Sequence, residues 1–292
     1  MILGEIDSAL SLFGRLRAWW QRRHEAAPVP AVTKRFIELF AAHGVHRNQI
    51  PRLLDGGLTL GHLVDDTALS AALTSEHLTR AAALFGVQLA WLEGATDQVY
   101  PLHDFYKQPE QFEAFLPTLH TDRAPLCGVL LVSDTSSFDL SALLILEETV
   151  GELDEKPLYR YHLCSNWVFA YWKARAYLTA CVASAWRHKV WLTGRRVSAT
   201  RVRQYAEGSA LLESGMDGAL PHGGAVWHPE DMLINPEAFL GGLAEGVFGQ
   251  IAGLRLWLAL DAAGLMRADL PYPHARAAFE AALDELLAAQ AR

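Results

Sequence analysis

The residue types best suited to chemistry fall in two basic clusters and one aromatic cluster. Lys34, Arg35, Arg47 and Arg52 against Glu38 give residues 33–52 a charge of +3. Lysine and arginine neutralise phosphate and fix register on a duplex, while Asn48 and Gln49 are types that can hydrogen-bond adenine edges. Lys34, Arg35, Arg47, Asn48, Gln49 and Arg52 are therefore candidate DNA contacts. Farther along, Arg187, Lys189, Arg195, Arg196, Arg201 and Arg203 fall within seventeen residues with no acid between them. Within that run, Arg195, Arg196, Arg201 and Arg203 are candidates for binding an anion, a nucleic acid or an acidic partner, the protein's own acidic C-terminal part included. Eight aromatic residues crowd into 28 positions from Tyr159 to Trp186. Such side chains build a core or line a ligand pocket, and Tyr161, Trp167, Tyr171 and Trp172 are the pocket candidates.

Other chemistries have less to stand on. His222, His228, Glu230 and Asp231 put two imidazoles and two carboxylates within ten residues. Yet H-x5-H is not a familiar ligand spacing, and Pro229-Glu230-Asp231 equally opens a helix. His162 and Cys164 would share one side of a strand, as many pairs do. The chain has no G-x-S-x-G elbow, H-E-x-x-H, Walker loop or strand-placed G-x-G-x-x-G. His103-Asp104 and His120-Thr121-Asp122 sit in expected loops. No catalytic residue, metal or cofactor is assigned.

Composition narrows the class. The chain has 292 residues, 51% of them hydrophobic, enough for a sizeable core. Its net charge of −8 is unevenly spread. Residues 1–203 carry 21 basic and 21 acidic groups, and residues 204–292 carry 4 and 12. Three cysteines without a C-x-x-C pair fit a reducing compartment. The acidic start and the absence of a long uncharged apolar run argue against a signal peptide and a membrane span, so a cytoplasmic location is expected.

The elements that position these residues follow from periodicity. Residues 5–25 read as an amphipathic helix, and Ala27-Pro28-Val29-Pro30 as a stiff linker. Phe36, Leu39 and Phe40 share one helical face that Gly44 ends. Pro51 bends a second short helix, TALSAAL makes a third, and Thr74 or Ser75 caps a fourth whose stripe is Leu78, Ala81, Ala82 and Phe85. The pattern L-x-x-x-A-x-x-F-G-V-x-x-x-W-L-x-G from Leu78 to Gly94 resembles the last helices of Cro/lambda-repressor-like helix-turn-helix domains of the XRE type. The resemblance covers residues 33–95 and implies a five-helix DNA-binding unit. The segment Gly56–Asp66 departs from it: beside Thr59 and His62 stand Asp65 and Asp66, with Asp55 just before, and phosphate repels carboxylates.

Beyond residue 98 the chain reads as strands CGVLLVSD, ALLILEETVGEL and PLYRYHLC, a long helix from Ser165 to Lys189, a short strand KVWLTGRRV and a helix after Ser198. Asn235-Pro236-Glu237 starts a helix carrying Gly242, Gly246, Gly249 and Gly253, and a last helix runs from about His274 to Ala289. The expected fold is α+β, predominantly helical. It comprises a helix and linker (1–30), a helix-turn-helix-like domain (31–97), a central antiparallel α+β sensing or dimerisation domain (98–210) and acidic C-terminal helices (211–292). Two functional readings lead, with an enzyme built around the aromatic pocket or the His222/His228 segment as a third. One is a homodimeric DNA-binding regulator answering to a small-molecule ligand of unknown identity. The other is an assembly protein that reuses the helical module without touching DNA.

Overall fold

A computed structural model describes residues 29–54, 56–119, 124–135, 141–213, 224–270 and 275–291. The expected N-terminal helix over 5–25, Asp55, His120-Thr121-Asp122 and His222 lie outside the described residues.

The helical unit begins with α1 (Val29–Ala42), which buries Phe36, Leu39 and Phe40 and ends at Gly44 with φ +71°. Pro51 lacks an N–H, and its segment tightens into a 3-10 turn (Arg47–Arg52) capped by His46. A second 3-10 turn (Leu60–Leu63) leads to α2 (Asp66–Ala72), where the Asp65 carboxylate accepts from the Ala68 N–H at 2.8 Å. Thr74 caps α3 (Ser75–Phe85), Gly86 ends it at φ +71°, and the short α4 (Leu89–Leu92) buries Trp91 and Leu92.

Six strands follow: β1 (Leu102–Asp104), β2 (Cys127–Ser133), β3 (Ala142–Leu153), β4 (Lys156–Trp167), β5 (Trp191–Val197) and β6 (Val226–Trp227). Their order is β1-β4-β3-β2-β5-β6. The sheet is mixed, which corrects the antiparallel expectation: β1 runs parallel to β4, and β2 parallel to β5. A strand–helix–strand unit returns the chain in its starting direction. Helix α5 (Pro109–Leu119) does this between β1 and β2, and α6 (Trp172–Arg187) between β4 and β5. Only the hairpins β2–β3 and β3–β4 and the edge pair β5–β6 are antiparallel. Asp154 and Glu155 close the β3–β4 hairpin with φ of +50° and +64°, both left-handed as a two-residue turn requires.

The apolar run in β3 is buried on both faces. Leu143 and Ile145 meet the helical unit, and Leu144 and Leu146 meet the opposite layer. On the first face Phe85 and His43 pack with Tyr161, and α7 (Ala199–Ala206) adds Val202 and Ala206. On the second lie α5, α6, α8 (Asp231–Ile234), α9 (Pro236–Leu240), α10 (Gly246–Ala262) and α11 (Arg276–Gln290). The result is three layers, helices on both sides of one sheet. The first core draws its buried residues from Phe36 to Leu212 and the second from Phe105 to Phe279.

Two expected helices differ in extent. Strand β4 continues to Trp167, so α6 starts seven residues later than the Ser165 expected. The glycine-bearing helix divides, because Gly242 (φ +73°) and Glu245 (φ +68°) turn the chain between α9 and α10. The close packing expected of these glycines is present at Gly253, where a Cβ would meet Leu243 and Phe239 carbons at 3.3 Å.

Candidate functional site

The parallel strands β2 and β5 end beside each other, and a small cleft of about 60 Å³ opens past their carboxyl ends. Ser133 closes β2 and Ser141 enters β3, and the two are tied by the Ser133 N–H donating to the Ser141 carbonyl at 2.8 Å. The Ser141 hydroxyl accepts from the Phe169 N–H at 2.8 Å, which holds the β4–α6 connection over the cleft. Asp134 and Thr135 form an exposed rim, Asp134 held by its N–H donating to the Val197 carbonyl at 2.9 Å.

Arg175 is the floor. It lies in the first turn of α6 and is 1% exposed. Its Nε–H donates to the Phe169 carbonyl at 2.8 Å, Nη1 to the Phe239 carbonyl at 2.9 Å and Nη2 to the Gly241 carbonyl at 3.3 Å. The guanidinium carbon lies 3.5 Å from the Phe169 ring centroid, a cation–π contact. A guanidinium has five N–H donors, so two remain beyond these three bonds. Burial, and secondarily the like charge of Arg196, pulls the pKa of Arg175 down to about 9, which still leaves a cation at neutral pH.

Arg196 sits on the rim. Along β5, Leu192 and Gly194 share its side of the strand, and its guanidinium lies 5.7 Å from the Trp227 ring. Gly194 is required there, since a Cβ would fall 2.5 Å from the Trp227 carbonyl oxygen. Among the described residues no carboxylate lies within the 4.0 Å of an ion pair from Arg175 or Arg196. Two cations therefore meet at a cleft edged by the hydroxyls of Ser133, Thr135 and Ser141. Two guanidiniums beside hydroxyl side chains are suited to holding an anion.

Of the four arginines expected to bind an anion or partner, the structure brings only Arg196 here. Strand alternation puts Arg195 on the opposite side of β5, and Arg201 and Arg203 project from α7 on the other face of the sheet. The four candidate pocket aromatics are not brought together either. Tyr161 is buried beneath the helical unit, but Asn166 takes φ +71° and swings Trp167 into the core on the far face. Tyr171 and Trp172 stand half-buried at the entry to α6, Tyr171 against that second core. Arg175, Ser133 and Ser141 were not named from sequence. The available signal was a lone arginine inside the apolar helix KARAYLTACVASAW.

Four of the six candidate DNA contacts are held within the protein. Arg35 donates to the Trp91 carbonyl at 2.6 Å. Arg47 donates to the Leu63 carbonyl and to Asp66, both at 2.7 Å. Gln49 donates to Asp154 at 2.8 Å, and Arg52 grips both oxygens of that carboxylate. Lys34 is exposed and lies 3.7 Å from Glu38, and Asn48 is exposed. At the position where a recognition helix is expected, Leu60 is 61% and Val64 78% exposed beside Asp65 and Asp66.

The remaining chemistry-bearing groups are scattered. His162 lies 2.8 Å from Glu148, which also pairs with Arg160 at 3.3 Å. Burial pulls the pKa values of both His162 and its neighbour His103 down. Cys164 and Cys181 are buried, and their thiols are pushed up by that burial, out of the reactive range. His228 lies 3.5 Å from Glu230. Among the described residues no three potential ligands gather for a metal, and no helix is long and apolar enough to cross a membrane. No family model, curated protein or solved structure matches the chain.

Proposed function

We propose that this protein binds a small anionic molecule in the cleft between Arg175 and Arg196, and that its helical unit serves assembly and not base reading. The observation that carries the first part is the buried Arg175 cation, which has backbone carbonyls but no carboxylate around it among the described residues. A buried charge without a countercharge is costly, and a bound anion offsets that cost. The second part rests on Arg35, Arg47, Gln49 and Arg52 being spent on internal bonds while Leu60 and Val64 face solvent.

Isothermal titration of the full chain with acetate and with inorganic phosphate, at fixed ionic strength, tests the cleft. Saturable binding that Arg196→Gln weakens at least tenfold supports the reading. Heats that the substitution leaves unchanged contradict it.

The second reading is a DNA-binding regulator that uses the cleft as its effector site. The order of helices over residues 29–92 and the exposed Asn48 favour it. A mobility-shift titration with salt separates the two, because phosphate contacts make affinity fall steeply as salt rises. Binding at low salt with that slope supports the regulator, and no shift at low salt removes it.

A further inference from the structure

The cleft holds both signs of charge. Asp134 belongs to the same lining as the two arginines, and among the described residues it too has no ion-pair partner within 4.0 Å. Opposite charges that share a small cleft without touching leave room for a molecule carrying the complementary pair. A simple anion drawn to Arg175 and Arg196 is repelled by Asp134, whereas a ligand with its own cation turns that repulsion into attraction. The Ser141 hydroxyl, which accepts from the Phe169 N–H, keeps its own proton to donate, which suits orienting a short polar molecule.

We propose that the cleft binds a small zwitterion of the α-amino-acid type, its carboxylate between Arg175 and Arg196 and its ammonium on Asp134. This rests on the reading that the cleft takes an anion. Arg175 supplies the desolvated contact at the floor, and Arg196 closes on the carboxylate from the rim. Planar guanidinium edges match a carboxylate's two oxygens. Asp134 then distinguishes amino acids from carboxylic acids of equal size.

Titration calorimetry of the full chain with L-alanine, propionate and ethylamine at neutral pH tests it, with Asp134→Asn and Arg196→Gln alongside. Alanine should bind at least tenfold more tightly than propionate, with no heat from ethylamine. Asp134→Asn should cancel that preference by weakening alanine and strengthening propionate, and Arg196→Gln should weaken both acids. Equal affinities for alanine and propionate, unmoved by Asp134→Asn, overturn the zwitterion and leave the anion site standing. No binding of either acid, or binding indifferent to Arg196→Gln, overturns both.

Discussion

The Arg52 guanidinium holds both carboxylate oxygens of Asp154, at 2.7 and 3.0 Å, across 102 positions of sequence. This contact clamps a turn of the helical unit onto the tip of the β3–β4 hairpin, and Gln49 reinforces it at 2.8 Å. Asp154→Gly should hardly change the melting temperature, because glycine keeps the left-handed turn and solvent screens an exposed pair. It also frees Arg52 and Gln49. The variant should still fail to shift duplex DNA at low salt. A salt-sensitive shift in the variant alone would mean that the hairpin masks a DNA surface.

His43 makes folding sensitive to acid. Its Nδ1–H donates to the Leu39 carbonyl at 2.8 Å, its ring packs between Phe85 and Tyr161, and its Nε2 is buried without a hydrogen-bond partner. Burial pulls its pKa from 6.5 down to about 4, against a smaller upward effect of the Leu39 bond. The unfolded chain thus takes up a proton at this site near pH 6.5, and the folded chain resists until about pH 4. Stability from this site is whole above pH 6.5 and falls between 6.5 and 4. The loss amounts to about 3 kcal/mol, at about 1.4 kcal/mol per pH unit. His103 and His162, also shifted down, add to the same limb. Urea melts of His43→Phe between pH 4 and 7 should show a shallower acid limb, and an unchanged slope would exclude His43 as a main cause.

Arg175 ties three backbone segments together through the Phe169, Phe239 and Gly241 carbonyls. Arg175→Met leaves those acceptors unsatisfied and should cost about 2–4 kcal/mol in urea denaturation. Arg175→Lys restores a charge but cannot lie flat on Phe169 or reach three carbonyls in one plane, so rescue should be partial. Wild-type stability in the methionine variant would show that these bonds do not hold the segments.

Gly194 makes space for Trp227, which in turn underlies Arg196. Gly194→Ala puts a Cβ 2.5 Å from a backbone oxygen that has little freedom to move, and should cost about 1–3 kcal/mol. Displacing Trp227 should also weaken anion binding at Arg196. Unchanged stability together with unchanged anion affinity would separate the two residues.

Local signals carried much of the fold. The Thr74 cap, the glycine stops at Gly44 and Gly86, and the β3–β4 hairpin are each written in a few neighbouring residues. The parallel pairings were less accessible, because strand direction is set by the helices α5 and α6 lying between strands. Of the site, Arg196 was legible as part of a basic run, but the alternation that parts it from Arg195 depends on where β5 starts. Arg175 stayed hidden because a single arginine on a helix ordinarily points to water. Here the Phe169 ring and the Phe239 and Gly241 carbonyls enclose it. The positive φ of Asn166, which parts Trp167 from Tyr161, has no signal in side-chain periodicity.

An anion held between Arg175 and Arg196 is visible in crystals soaked in selenate, with data collected at the selenium edge. An anomalous peak is expected within hydrogen-bond reach of the Arg175 and Arg196 guanidiniums, absent in Arg196→Gln. A cleft that stays empty while selenate binds elsewhere on the protein would contradict it.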